Sequence, residues 1–385
     1  MRRPCRLQRA QAIVEAGRPV VDARKLGFPA VGPQRTLPGM DFQASVDRAD
    51  QELVRVGEHG LDTRTWFRAA NALLSRVVGF DGSCWQTNDP ATALITGHLT
   101  LNLPSRFPLL AANEYLADDV NKFADLAAAP HKVGLLSQAT RGQPQRSQRW
   151  QEMLRPGGFD AELRVAFVDR DGQCWGSLIL VRDRGRPDFD PQTTAALERL
   201  AGTLAAGLRH TMVAQQATVE PPAHGPGLVV LDRHGQVESL TQAARHWLDR
   251  LGQDPPVLAA VAASAHASGP ARARVHTPAG QWLVLHGARL DGDPQGRVSV
   301  IIEPPRPDEL APLLVAAYGL SDREQAVAAL VFQGRSTRQI ARALQISPYT
   351  VQEHLTAIFD KVGVRSRGEL VGQIFFRHCL PQIPD

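Results

Sequence analysis

Residues 320–376 carry a regular series of helix start signals. In a capping box, two side chains three residues apart bind backbone N–H groups that the start of a helix leaves without partners. The pairs that fit this pattern are Ser321 with Glu324, Ser336 with Gln339, and Ser366 with Glu369. Ser347 followed by Pro348 gives another helix its cap and first turn. The sequence therefore predicts four short helices in this segment, an all-α arrangement.

The apolar residues in these helices recur with the helical period. On the third helix, Val351, Leu355, Ile358 and Val362 follow the spacing of one buried face. A tight turn connects the second helix, ending near Leu344, to the third. This is helix-turn-helix architecture, in which the second of the two helices can enter the DNA major groove with its N-terminal half.

The outward side of the third helix holds three polar side chains. Counting about 100° per residue from Val351, Gln352, Glu353 and Thr356 point away from the buried face. Gln can pair with adenine, and Glu can accept a hydrogen bond from cytosine N4. These three residues are therefore the candidates for base contacts.

Cations flank the same helix. Between residues 335 and 367 there are six Lys or Arg residues against Glu353 and Asp360, a local surplus of four positive charges. Such side chains suit phosphate contacts, which position a protein on DNA without reading its sequence. The candidates for DNA backbone contacts are Arg335, Thr337, Arg338, Arg342, Thr350, His354, Lys361, Arg365 and Arg367.

The stretches "LSDRE", "GRSTRQIARAL", "ISPYTVQEHL" and "KVGVRSRGEL" resemble the LuxR-type DNA-binding domain, here placed at residues 308–380. The resemblance implies binding of double-stranded DNA as a homodimer, with the fourth helix at the partner contact. The apolar end of that helix, formed by Ile374, Phe375 and Phe376, suits this contact or, alternatively, packing on the sensor part of the chain. The family often has a basic residue where Thr356 stands, so we expect weaker non-specific affinity. Periodicity alone leaves open a helical protein-interaction module with a solvated polar face.

Whole-chain charge does not support DNA binding. The isoelectric point is about 9.1, but residues 1–39 hold eight Lys or Arg against two acids. This local surplus of six positive charges exceeds the net charge of the whole chain, which is +4. That tail is predicted to be a disordered basic arm or a start-site artefact. The sequence has no apolar stretch long enough to span a membrane and no CxxC pair, which predicts a reduced cytoplasmic protein.

Residues 41–215 are predicted to form an α+β domain. Helical patterns begin near Thr63 and cover residues 113–128, and Asp171-Gly172 joins two strands as a hairpin. A closing helix is capped by Asp190. This order, with "FDGSCW", "YLADDVNKFADL" and "DGQCWGSLILVRD", resembles GAF-type sensor domains.

Residues 226–304, between two proline-rich seams, are predicted to form a second α+β domain. The segment begins with a strand, a turn at His234-Gly235, a second strand and a helix, and later supplies two further strands. This order is similar to the start of a PAS domain.

Several other site classes find little support in the sequence. No phosphate-binding GxxxxGK[ST] motif, zinc spacing or nucleophile–base set occurs, so we expect no enzyme activity, metal or cofactor. Cys84 and Cys174, each beside a Trp, are more typical of a sheet core than of a redox pair. The candidates for lining a ligand pocket, with core packing as the alternative, are Trp85, Tyr115, Phe123, Phe167 and Trp175.

The sequence thus predicts a bacterial DNA-binding transcription regulator. Its GAF-like and PAS-like region would sense a signal, which a small-molecule effector could supply, and control the C-terminal helix-turn-helix. The competing hypothesis is a ligand- or redox-binding sensor that acts through a protein partner without binding DNA.

Overall fold

The computed structural model describes residues 42–104, 106–214, 225–252 and 255–378. The predicted basic arm, residues 1–39, lies outside this part of the chain. Two five-stranded antiparallel sheets are followed by a C-terminal group of helices. The predicted fold class, two α+β domains and an all-α helix-turn-helix domain, is confirmed, whereas the domain boundaries stay predictions.

The first sheet domain has strand order β2-β1-β5-β4-β3. Its strands are β1 (Gly82–Asn88), β2 (Ile95–Leu101), β3 (Val133–Leu135), β4 (Phe159–Val168) and β5 (Cys174–Asp183). Its helices are α1 (Phe42–Glu58), α2 (Thr63–Val77), α3 (Phe107–Tyr115), α4 (Phe123–Ala128), α5 (Leu136–Ala139) and α6 (Pro191–Ala214). The predicted hairpin joins β4 to β5, with Gly172 at a φ of 79°.

Helices α2 and α6 pack closely against each other and cover one face of this sheet. Trp66, Trp85 and Phe167 are buried together there, and the Trp66 and Trp85 rings meet edge to face at 6.1 Å. A Cβ at Gly207 would lie 2.6 Å from the Trp66 ring, so α6 needs glycine at this position to pack so tightly.

The prediction of one helix over residues 113–128 is wrong. The structure has two helices there, α3 and α4, separated by residues 116–122. Asp119 in the break accepts hydrogen bonds from the Asn113 amide, the Ser147 hydroxyl and the backbone N–H of Arg149. Asn121 has a left-handed φ of 55°. These long-range bonds outweigh the local helical pattern.

The second sheet domain repeats the same order of strands, β7-β6-β10-β9-β8. Its strands are β6 (Gly227–Leu231), β7 (Val237–Leu240), β8 (Ala271–His276), β9 (Trp282–Arg289) and β10 (Val298–Glu303), and its helices are α7 (Gln242–Leu251) and α8 (Pro256–Ser268). Trp247, Val261 and Leu283 are in its core, which Leu94 and Tyr115 of the first domain extend. The two sheet domains therefore pack against each other through apolar side chains.

Five helices end the described chain: α9 (Pro307–Ala317), α10 (Asp322–Phe332), α11 (Thr337–Leu344), α12 (Pro348–Val362) and α13 (Arg367–His378). The sequence predicted the last four but not α9, whose pattern is interrupted by Pro312. Leu310 and Leu313 of α9 share one hydrophobic cluster with Leu208 of α6 and with Val327 of α10. The C-terminal helices are thereby joined to the first sheet domain by a continuous core.

None of the helices within the described ranges is long and apolar enough to cross a membrane.

Candidate nucleic-acid interface

Local hydrogen bonds start α10, α11 and α12 at the positions that the sequence predicts. The Glu324 carboxylate accepts from the backbone N–H of Ser321 at 2.6 Å, and Gln339 makes the equivalent bond to Ser336 at 2.8 Å. Ser347 accepts from the backbone N–H of Thr350 at 3.0 Å. These bonds satisfy N–H groups at the helix starts and fix where each helix begins.

The third capping pair differs in its return bond. The Ser366 hydroxyl accepts from the backbone N–H of Glu369 at 3.1 Å, as expected. The Glu369 carboxylate, however, accepts from the N–H of Arg365, one residue before the cap. The start of α13 is still held from both sides.

The turn between α11 and α12 uses a left-handed residue that is not glycine. Gln345 has φ 54° and ψ 44°, and its N–H bonds to the last turn of α11. Ile340 and Val351 are both fully buried on the inner side of the turn. The turn thus sets α12 across α11 with its polar side outward.

The base-contact candidates lie together on α12. Gln352, Glu353 and Thr356 are all exposed, while Val351 and Leu355 anchor the helix from the opposite side. The Thr356 hydroxyl donates to the carbonyl of Gln352 at 3.1 Å, so it is left to act as an acceptor. The structure therefore brings the three side chains to one exposed surface.

Sequence reasoning missed Tyr349 on the same surface. Its side chain is 74% exposed, in the first turn of α12. The angular count from Val351 places it between Thr356 and Glu353, so the same arithmetic could have found it. A phenol at this position adds a hydrogen-bonding group and a flat apolar face.

Two of the candidates for contacts with the DNA backbone, Lys361 and Arg367, already bind other residues of the C-terminal helices. Lys361 pairs with the buried Glu324 at 2.6 Å. Burial opposes ionisation of Glu324, but hydrogen bonds from Lys361 and Ser321 outweigh it and lower the pKa of the carboxyl. Lys361 therefore links α12 to α10, and its charge is largely neutralised.

Arg367 is the second committed cation. Its guanidinium donates to the carbonyl of Arg335 at 2.9 Å and to the Thr337 hydroxyl at 2.8 Å. It ties the start of α13 to the start of α11. Thr350 is engaged as well, since its hydroxyl lies 2.9 Å from that of Ser347 in the cap of α12.

The remaining candidates divide by exposure. His354 is half-buried beside the base-contact surface, whereas four arginines are exposed on or next to α11 and after α12. These exposed arginines are Arg335, Arg338, Arg342 and Arg365. They supply most of the local positive charge that could meet phosphate groups.

The described part of α13 does not offer Ile374 to a partner. Ile374 and Leu370 are both fully buried in the core that also holds α9 and α10. The side chains of Phe375 and Phe376, the other residues of the predicted apolar end, lie outside the described part of the structure.

The five pocket candidates lie on two faces of the first sheet. Trp85, Phe167 and Trp175 pack under α2 and α6, while Tyr115 and Phe123 lie on the opposite face. The Tyr115 hydroxyl accepts from the backbone N–H of Ile95. The structure therefore does not bring these aromatic residues together around one space.

A cavity on the second face of this sheet has other walls. It measures about 70 Å³ and is lined mainly by apolar residues, including Phe107 and Ile179, with Arg149 and Glu162 among the polar ones. Arg149 and Glu162 are both buried and form a forked pair, with Nη2 2.7 Å from the carboxylate. Burial raises the pKa of the Cys84 thiol on this wall to about 12.

The second cysteine behaves like the first. Burial raises the pKa of Cys174 to about 12 as well. A thiol with such a pKa holds little thiolate near neutral pH, and the thiolate is the reactive form. These environments do not support the redox alternative.

Comparison with known proteins identifies the C-terminal helices. Residues 319–373 match the family described as bacterial regulatory proteins, luxR family. An HTH-type transcriptional regulator by name, from Mycobacterium bovis, is 44% identical over 54 residues, which are 14% of this chain and 6% of that protein. The transcriptional regulatory protein DesR of Bacillus subtilis is 35% identical over 65 residues, 17% of this chain and 33% of that protein.

The chain therefore spans less than two thirds of the length of either relative. Among solved structures, the GAF domain of a sensor histidine kinase from Pseudomonas syringae aligns with 43% of this chain and 84% of its own. Its sequence identity is 18% and its TM-score is 0.27.

Proposed function

We propose that this chain, whose residues 319–373 belong to the luxR family of bacterial regulatory proteins, is a DNA-binding transcription regulator. The observation that carries the proposal is the surface of α12. There Gln352, Glu353 and Thr356 are exposed together on a helix anchored by Val351 and Leu355. A helix presented in this way fits the major groove, and both Gln and Glu have base-reading chemistry.

The exposed arginines would place that helix on the duplex. Four exposed arginines can meet phosphates on either side of the groove. They are Arg338 and Arg342 on α11, Arg335 before α11 and Arg365 after α12. Glu353 would be repelled by phosphate, so a complex in the wrong register is penalised. The helix-turn-helix proteins of this class act as dimers on two half-sites, and a homodimer is part of the proposal.

Control by the GAF-like and PAS-like region would pass through α9. Leu310 and Leu313 of this helix share a core with Leu208 of the first sheet domain. Arg170 of that domain also donates to the carbonyl of Gly319, at 3.4 Å, just before α10. A signal that shifts this packing would change dimerisation or the freedom of the DNA-binding helices, without any enzymatic step.

The cavity that Arg149 and Glu162 border has the mostly apolar wall and few polar groups of a ligand site, but its volume of about 70 Å³ is well below the roughly 300–1,000 Å³ of ordinary ligand pockets. A small-molecule effector of the GAF-like domain would therefore have to widen this cavity. Because the proposed function is DNA binding in a bacterial cell, a cytoplasmic location is part of the proposal.

A mobility-shift titration with the DNA upstream of the chain's own gene tests the function. The wild-type chain should shift this DNA, and the double variant Gln352→Ala with Arg338→Ala should not, although its circular dichroism is unchanged. Arg68→Ala, which removes an exposed charge from α2, is the matched control and should bind as wild type. Absence of any shift by the wild-type chain, with or without effector, would refute the proposal.

The salt dependence separates the two kinds of contact. Removing one phosphate contact in Arg338→Ala should reduce the slope of log affinity against log salt by about 0.9. Gln352→Ala alone should leave the slope unchanged and relax the preference at one base position. Equal slopes for all three proteins would show that Arg338 does not contact phosphate.

A further inference from the structure

Tyr349, in the first turn of α12, has the most exposed of the large apolar side chains in the described ranges. It is 74% exposed, whereas the next of these side chains, Leu116, is 49% exposed. One exposed aromatic residue is ordinary in itself, so its place on the helix decides what it can contact.

The start of α12 is held in place, so the direction in which Tyr349 leaves the helix is set. Ser347 accepts from the backbone N–H of Thr350 at 3.0 Å, and Pro348 occupies the first helical position. Counting about 100° per residue from Val351 places Tyr349 at about 160°, almost opposite the buried face. On a helix lying in the major groove, that side faces the base edges and the flanks face the phosphates.

The chemistry of the Tyr349 ring matches one base edge in particular. In the major groove, thymine presents an apolar group, its C5-methyl, beside hydrogen-bonding atoms. The faces of a phenol ring are apolar and its tip alone is polar. Gln352 and Glu353, one turn further along α12, end in polar groups, so Tyr349 can make an apolar contact that these two cannot make.

Tyr349 and Gln352 can reach the same base pair or adjacent ones. They are three residues apart, which is about 4.5 Å along the helix axis, and successive base pairs are about 3.4 Å apart. We propose that Tyr349 reads a thymine by packing its ring against the C5-methyl group, within one base pair of the base that Gln352 reads. Tyr349 is then a specificity-determining residue, a role that rests on the proposed function.

Replacement of thymine by uracil tests this contact, because uracil pairs in the same way and lacks the methyl group. The full wild-type chain would first select a duplex from a random library. Each thymine of that duplex would then be replaced singly by uracil, and the affinity measured by mobility shift. At least one replacement should weaken wild-type binding about fourfold, the effect of one buried methyl group. That thymine should lie within one base pair of the position whose preference relaxes in Gln352→Ala.

Variants at residue 349 assign the contact. Tyr349→Ala, with unchanged circular dichroism, should bind the thymine and uracil duplexes equally. Tyr349→Phe keeps the ring without the hydroxyl and should keep the fourfold difference. Leu116→Ala, which removes the next most exposed apolar side chain, is the matched control and should behave as wild type.

Failure of this role and failure of the proposed function give different results. If the library yields no enriched duplex, DNA binding is refuted, and the role of Tyr349 with it. If a duplex is enriched but no uracil weakens binding, or the difference persists in Tyr349→Ala, the reading of thymine by Tyr349 alone is overturned. An equal loss on both duplexes in Tyr349→Phe would assign the hydroxyl to a phosphate and overturn it as well.

Discussion

Removal of one carboxylate, in Asp89→Ala, should destabilise the junction of the three domains. The Asp89 and Arg274 side chains are 1% and 9% exposed. Asp89 accepts from the backbone N–H of Arg274 at 2.7 Å, from its Nε at 3.1 Å and from its Nη2 at 2.6 Å. Breaking a buried pair from one side leaves an uncompensated charge, which costs about 3–5 kcal/mol.

Urea unfolding followed by circular dichroism measures this cost as the shift in the midpoint of the transition. Glu52→Ala is the control, because it breaks an exposed pair with Arg76 that is 3.6 Å long. It should change the free energy of unfolding by less than about 1 kcal/mol. Adding Arg274→Met to Asp89→Ala should recover much of the loss, since the unpaired charge is then gone. If Asp89→Ala lowers the free energy of unfolding no more than Glu52→Ala does, burial of the Asp89–Arg274 pair does not stabilise the junction.

Three further predictions concern caps, acid and thiols. Ser336→Ala should lower the stability of the C-terminal helices by about 1 kcal/mol in thermal melts, because Ser336 caps α11; an unchanged melting temperature would contradict this. The pKa of Glu324 in the folded chain lies below the usual 4.5 of a Glu side chain. The stabilisation from its ionised carboxylate is therefore complete above pH 4.5 and is lost as the pH falls through the lowered pKa of the folded state. Acid unfolding of Glu324→Gln should therefore depend less on pH than that of wild type. Cys84 and Cys174, with pKa values raised to about 12 by burial, should resist iodoacetamide at pH 8 until urea is added. The sequence also contains Cys5 and Cys379, so peptide mapping has to locate the label; rapid labelling of Cys84 or Cys174 in the native chain would disprove their burial.

The helix-turn-helix could be predicted because its signals are local. The caps at Ser336 and Ser347 and the apolar period through Val351 and Leu355 each act within about one helical turn. The exposed positions of Gln352 and Glu353 followed from the same period. Their contacts with bases stay a prediction.

Long-range partners account for what the sequence concealed. Asp89 and Arg274 are 185 residues apart, and no local pattern joins them. The charge count around α12 treated Lys361 as available, whereas Glu324, outside the counted range, neutralises it. The break between α3 and α4 likewise depends on Arg149, 30 residues beyond Asp119. Such contacts depend on how the sheets stack, which periodicity does not encode.

The core that joins Leu310 and Leu313 of α9 to Leu208 of α6 has a consequence for genetics. Under the proposed function, a screen for mutants that lose regulation would recover substitutions in the first sheet domain that never approach DNA. Second-site suppressors of those substitutions should arise on α9, because repacking of a shared core restores both sides together. In this chain, a map of mutant phenotypes would follow the shared core and cross the boundaries between domains.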